Sequence, residues 1–472
     1  MTGSLRAGLD VLAAALTVLA VWAAGSVALR PLRARIARYD AGAPEPAPEL
    51  SHTELSHTEA LVAGLLLLHL LLQGLDLVGV PWHPYLLGGC GLAATAAWTW
   101  ARRGSTRDQP TKRAASQTAT AAVGIGDALA AIAVAAFGLA CWFLRSPFSD
   151  FVYHWGLKAK RFFLHRGTDF EFLARDANGY LHPDYPNLWP ELFAVPAILS
   201  GRFFEPALLP LTAVFLAFLA LVLRAELRRV MEPSATRQLA LPALVLGVTA
   251  FCIGYYQAGS ADLPFALALL LGASALSEPR AGPATLRAGL AAAFAAALKI
   301  EGPPFAAILL ALVALRHGRE LWRRPKLVAL AGVPAALVIA PWAYLLARHD
   351  LYQPTNSAGL AALDPARLVP IAEHAWRVLL QPQWHGLPLL LLALPLLLLA
   401  RSCRWIAYLC GLQLAFYLYV YASAPLEPGF FVLSSFPRLL LHVLPAVGLA
   451  AFAALAALGE KRPPRGGLSG PG

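Results

Sequence analysis

TEALVAGLLLLHLLLQGLDLVG, residues 58–79, is apolar enough to leave water and long enough to cross a bilayer as one helix. A helix needs roughly 20 such residues to span the hydrocarbon. Working outward, runs of this kind recur at 7–29, 83–101, 121–144, 205–223, 238–256, 262–277, 285–298, 303–315, 326–347, 386–400, 405–422 and 438–458. Of 472 residues, 58% are hydrophobic and only 14% are charged. A chain whose solvent is lipid must satisfy its backbone polar groups internally, which makes helices the spanning element here. The expected fold is all-α: a polytopic integral membrane protein of about 13 transmembrane helices, the shorter runs being tilted or half-length inside the bundle. Length alone would admit two or three soluble domains, yet no polar stretch is long enough for one. A single multi-span domain is expected over 1–458, with a Pro- and Gly-rich disordered cytoplasmic tail at 459–472.

The net charge of +11 belongs to the same picture. With the N-terminus outside, the connections that fall inside are 30–57, 102–120, 224–237, 278–284, 316–326, 401–404 and the tail. They carry most of the Lys and Arg, as the positive-inside rule requires. The charge is thereby explained without nucleic acid. Only Arg6 precedes the first run and Arg30, Arg33, Arg35 and Arg38 follow it, which fits a retained anchor better than a removed signal peptide. Cys90, Cys141, Cys252, Cys403 and Cys410 show neither metal nor disulfide spacing and read as small packing residues. The tandem Ser51-His52-Thr53-Glu54 and Ser56-His57-Thr58-Glu59 read as capping boxes where the second span begins. A His metal site there would lie on the inside.

The longest outside loop, 145–204, holds basic and acidic residues in near balance, so its charges call for another purpose than topology. Ser146-Pro147 opens a helix with an N-cap residue and a proline at the first position. Beyond it Asp150, His154, Lys158, Arg161 and His165 recur at helical spacing on one face, with Phe151, Trp155, Ala159, Phe162 and Phe163 opposite. The pattern predicts an amphipathic helix in the membrane interface, aromatic side in lipid. Lys158 and Arg161 would hold the phosphate of a lipid carrier at headgroup depth. Asp150 would accept the proton of an incoming hydroxyl. The plainer reading is a solvated basic face. The loop ends in HPDYPNLWP, 182–190, whose prolines impose an extended path. His182, Asp184 and Tyr185 either stiffen that return or line a pocket facing Asp150.

Other ionisable residues fall near the same surface. Asp262 opens a span and meets its positive dipole end. Lys299 and Glu301 flank a break at Gly302-Pro303-Pro304, as a mutual ion pair or as substrate contacts. Arg438 and His442 stand one turn apart at the start of the last span, and Arg438 suits an anion. Ionisable groups at membrane depth are costly and usually functional.

In order along the chain, DFVYHWGLKAK (150–160), HPDYPNLWP (182–190), ADLP (261–264), KIEG (299–302) and FPRLLLHVLP (436–445) resemble the GT-C superfamily of glycosyltransferases. More narrowly, they are similar to bacterial members grouped with protein mannosyltransferases and lipid A aminoarabinose transferases. The resemblance covers roughly 120–458; residues 1–120 have no counterpart and add extra spans. It implies a GT-C-like bundle in the inner (plasma) membrane, with the active site on the periplasmic side. It implies a polyprenyl-phosphate-linked sugar donor, a lipid, glycan or protein acceptor, and inversion at the anomeric carbon. Asp150 becomes the acid of the first large periplasmic loop and the general base. His154, Lys158, Arg161, His182, Asp184, Tyr185, Asp262, Lys299, Glu301, Arg438 and His442 become substrate-binding residues. Some relatives pair the loop acid with a second one as Asp-Glu or Asp-x-Asp; Phe151 and Val152 stand there in this chain. A divalent metal is therefore left open, and no other cofactor is implied. Two further classes fit the composition: a transporter or lipid flippase, and a non-catalytic envelope assembly protein. A transporter would place its charges at the bilayer midplane and repeat its halves. Here the charges gather at one face and no half is duplicated, which favours the transferase.

Overall fold

The computed structural model describes residues 3–39, 49–107, 124–143, 150–231, 234–254, 257–351, 363–382, 386–401, 403–424 and 426–460. Ser146-Pro147 and the tail beyond 460 lie outside the described residues. The α-helices are, in chain order, α1 Gly3–Tyr39, α2 Glu49–Leu77, α3 Pro84–Arg107, α4 Ile125–Phe143, α5 Gly156–His165, α6 Phe170–Leu173, α7 Leu188–Ser200, α8 Glu205–Leu208 and α9 Leu211–Val230. They continue with α10 Ala235–Gly254, α11 Asp262–Ser277, α12 Ala281–Leu298, α13 Gly302–Arg323, α14 Pro325–His349, α15 Leu368–Leu379, α16 Leu394–Leu399, α17 Arg404–Ser423 and α18 Pro428–Glu460. Among the described residues there is no strand.

Nine helical segments among the described residues are long and apolar enough to cross a membrane: Ser4–Ala37, Glu54–Leu77, Ile125–Phe143, Glu205–Val230, Thr236–Gly254, Ala281–Leu298, Pro325–Arg348, Arg404–Ser423 and Pro428–Leu458. The runs read at 83–101, 262–277, 303–315 and 386–400 are helical too, but are not among the nine. Of these, Asp262–Ser277 and Leu387–Leu399 are apolar but shorter.

The centre of the bundle follows from composition. Helix α11 is apolar on every side and buried from Asp262 to Leu276. A helix without a polar face has no stable place at a surface facing water. Alanine-rich α12 is buried along nearly its whole length beside it, packed on α11, α13 and α14, since small side chains let helix backbones approach closely. Helices α1 and α2 cross in the same way. A methyl group at Gly64 would fall 1.7 Å from the Val21 carbonyl oxygen, and one at Gly25 would fall 1.8 Å from that of Ala60.

Three sequence expectations change. Helix α7 stands where a stiff return segment was expected. It is apolar and mostly buried, and its Pro190 sits in the first turn, where the missing N–H costs no hydrogen bond. Second, the segment after Asp150 is not one plain helix: Phe151–Trp155 form a π-turn that leads into α5. Its aromatic face meets protein rather than lipid. Phe151, Trp155 and Phe162 are buried, Phe151 edge-on to Phe193 at 5.1 Å and Phe162 edge-on to Trp82 at 5.8 Å. Third, the tandem Ser-x-x-Glu units lie inside α2, so they do not cap it. Their acids serve as counter-charges instead. Glu54 accepts from Arg224 at 2.5 Å and Arg228 at 3.1 Å; Glu59 accepts from Arg33 at 2.8 Å and Arg287 at 3.0 Å.

Candidate active site

At the opposite end of the bundle from those pairs, the first residue of α11 gathers four partners. Asp262 is wholly buried and accepts from Lys299 Nζ at 2.7 Å, Arg438 Nε at 3.0 Å and the Ser260 hydroxyl at 2.7 Å. His442 Nε2 lies 3.0 Å from it. A buried carboxylate is tolerated only when its charge and lone pairs are met in this way. Ser260 is a near neighbour in the chain; Lys299, Arg438 and His442 come from distant parts of it. Lys299 closes α12 in extended conformation, and Glu301 precedes the two prolines that open α13. Arg438 follows Pro437 inside α18.

Arg438 reaches further. Its Nη2 lies 2.5 Å and its Nη1 3.2 Å from the two carboxylate oxygens of Asp150, a forked contact that the planar guanidinium makes and an ammonium does not. One arginine thus bridges two acids, Asp262 with no exposure and Asp150 with 20%. Lys299 also lies 3.5 Å from Glu301, and His442 Nδ1 lies 2.7 Å from the Tyr417 hydroxyl.

A second group lies against Asp150. Lys158 is fully buried and donates to the carbonyls of His182 at 2.7 Å and Tyr185 at 3.5 Å, while Trp342 Nε1 donates to the carbonyl of Asp184 at 3.2 Å. The 182–185 turn is held by its backbone. Burial pushes the Lys158 ammonium down to about 7, against the pull of Asp184. The rings of His154 and His182 lie 4.7 Å apart, as do those of His182 and Tyr185. Burial lowers His154, against the opposing charge of Asp150. Tyr185 feels the charges of Glu301, Asp184, Arg438 and Asp150, which ties the two groups into one.

Of the residues singled out in the sequence, Asp150, His154, Lys158, His182, Asp184, Tyr185, Asp262, Lys299, Glu301, Arg438 and His442 fall in this cluster. Arg161 does not: it pairs with Asp169 and lies over the Phe172 ring at 4.3 Å. Lys158 also lacks the role foreseen for it, since its ammonium faces backbone carbonyls. Arg438 and Lys299 are the cations that face the carboxylates. Sequence reading missed Ser260, Tyr417 and Trp342. Tyr417 is hidden in an aromatic-rich apolar run, and Trp342 looked like any membrane tryptophan.

No protein family matches this chain, and no curated protein matches it.

Two features limit what the cluster can hold. Among the described residues no group of three or more His, Cys, Asp or Glu side chains is placed to bind a metal ion. The two acids face Arg438 rather than each other, and its guanidinium, 22% exposed at the edge of a buried site, suits an anion.

Gly259 couples the two acids mechanically. It has φ +81°, and a methyl group there would lie 2.4 Å from the Phe151 ring. Its carbonyl accepts from Trp189 Nε1 at 2.7 Å, and its N–H donates to the Thr212 hydroxyl at 2.8 Å. Gly259→Ala is expected to displace the π-turn carrying Asp150 and to cost about 1–3 kcal/mol. Gly79→Ala, also at positive φ but in open space, controls for the backbone term. Thermal unfolding of the purified proteins checks this; equal losses for the two variants would contradict it.

Proposed function

We propose that the chain is a membrane glycosyltransferase that moves a sugar from a polyprenyl-phosphate donor to an acceptor hydroxyl, with inversion and with Asp150 as general base. The observation that carries the reading is Arg438 held between a buried and an accessible carboxylate. The donor phosphate competes with Asp150 for the Arg438 guanidinium, while Asp262 keeps the side chain in place. Asp150, released from its partner, takes the proton of the acceptor hydroxyl. The acceptor oxygen attacks the anomeric carbon on the face opposite the phosphate. The carbon–oxygen bond to phosphate breaks, and polyprenyl phosphate leaves with the electron pair. Arg438 and Lys299 meet the charge that develops on it, a contribution of several kcal/mol in a water-poor site. His154, His182 and Tyr185 offer the ring faces and polar edges that a sugar requires.

In this reading the cluster lies on the periplasmic side of the inner membrane. The support is the arginine-rich opposite end of the bundle, which the positive-inside rule assigns to the cytoplasm. The four helices beyond the nine long apolar segments complete a GT-C-like bundle of about thirteen.

The test is a comparison of glycolipids and glycans from a deletion strain and its parent by mass spectrometry. We expect one glycan or glycolipid to lose a single sugar, with the polyprenyl-phosphate sugar accumulating. Identical profiles would contradict the proposal.

A further inference from the structure

A second charged cavity lies at the other end of the molecule. It has a volume of about 560 Å3 and is walled by the ends of α9 and α11, the later turns of α13, the start of α17 and the last turns of α18. Arg229, Arg316, Arg401 and Arg404 line it, with Glu226 as the one carboxylate in the lining among the described residues. Glu226 is already engaged, accepting from Arg229 at 2.6 and 2.9 Å and from the Ser274 hydroxyl at 2.5 Å. Arg316 makes a long bond to the Ser277 carbonyl, 3.4 Å, and has Arg229, Glu278 and Arg404 among its charged neighbours; Glu278 is engaged by Arg280 at 2.9 Å. Arg404 lies over the Trp405 ring at 5.6 Å. Arg316, Arg401 and Arg404 have no ion-pair partner among the described residues.

The contrast with the nearby arginines is informative. Arg33, Arg224, Arg228 and Arg287 are all matched by Glu54, Glu59 or Asp127. At the cavity, Arg316, Arg401 and Arg404 add positive charge that no ion pair among the described residues offsets. Its other wall is apolar, formed by Ile406, Leu449 and Ala453.

The depth of the cavity follows from helix geometry. Asp262 opens α11 and Ser277 closes it, a rise of about 23 Å; Arg438 and Ala457 are about 29 Å apart along α18. The hydrocarbon core is about 30 Å thick. With the Asp262 cluster at one membrane surface, the arginine cavity lies at the other.

We propose that this cavity binds the phosphate group of an anionic membrane lipid, with an acyl chain along the α18 wall. Guanidinium groups give phosphate forked, charge-assisted hydrogen bonds, and basic pockets between spans on the cytoplasmic side suit acidic headgroups. A free phosphate would meet the cations but leave the apolar wall uncovered. The inference rests on the membrane-spanning reading of the chain, not on the chemistry proposed at Asp150.

The experiment uses the full-length protein in neutral detergent, with native mass spectrometry of added phosphatidylglycerol, phosphatidylcholine or inorganic phosphate. The wild type should retain phosphatidylglycerol over phosphatidylcholine, and equimolar inorganic phosphate should not displace it. The double variant Arg316→Gln/Arg404→Gln should bind phosphatidylglycerol about tenfold or more weakly, while Arg319→Gln, which removes a charge outside the cavity, should bind as the wild type does. If the double variant fails to fold, Arg401→Gln, at an exposed turn, should still weaken binding several-fold. Equal retention of both lipids, wild-type binding by the cavity variants, or displacement by inorganic phosphate would each overturn the proposal. A failure of glycosyl transfer would leave these readings unchanged.

Discussion

Asp262→Ala should lower the stability of the folded protein by about 3–5 kcal/mol, the usual cost of removing one partner from a buried ion cluster. The reason is accessibility. Lys299 has 2% exposure and His442 none, so neither can turn to water when the carboxylate is gone. Arg438 would keep Asp150, but Lys299 would retain only Glu301 at 3.5 Å. Asp262→Asn keeps the shape and the bond from Ser260 while losing the charge, so an intermediate loss is expected. Adding Lys299→Met to Asp262→Asn removes the stranded cation and should restore part of the loss, because a buried ion pair and an apolar pair of similar volume are often close in stability. Unfolding midpoints of the detergent-solubilised variants check the order. A double variant less stable than Asp262→Asn alone would contradict it.

The second large effect is on rate. Asp150→Asn should slow sugar transfer by about 10²- to 10⁴-fold, the range typical of losing a general base. Its effect on stability should stay within about 1 kcal/mol, as for other accessible ion pairs. Asp150 sits at the rim of the cluster with 20% exposure, and Arg438 keeps its bond to Asp262 without it. The contrast between the two acids is the useful result. Asp262 substitutions should fail in folding before they fail in chemistry, and Asp150 substitutions should do the reverse.

Much of the architecture was legible from the apolar runs, because length and composition decide whether a segment can live in lipid. The convergence of Asp150, Asp262, Lys299 and Arg438 was readable from topology alone, since each follows or precedes a run at the same end. What the sequence hid has physical causes. Helical spacing grouped Lys158 with Arg161 on one polar face, but Lys158 is buried, Arg161 is partly exposed, and spacing gave neither residue's partners. The carbonyls of 182–185 and the carboxylate of Asp169 become neighbours only when the loop folds on itself. The aromatic face of the same segment looked lipid-facing because composition does not distinguish lipid from the apolar seat made by α7 and Trp82. Glu54 and Glu59 matched a capping pattern, and only the crossing of α2 with α1, α9 and α12 shows them to be counter-charges. Helix α7 was missed because proline near its start reads as a break, although a first-turn proline leaves the helix intact.

The most direct test of the central claim is transfer by the purified protein in proteoliposomes, supplied with a polyprenyl-phosphate sugar labelled in the sugar and with an envelope acceptor fraction. The account predicts that wild-type protein moves the label to the acceptor with the anomeric configuration inverted, and that folded Asp150→Asn leaves it on the lipid. Label that stays on the lipid with the wild type, or moves equally fast with Asp150→Asn, would contradict it.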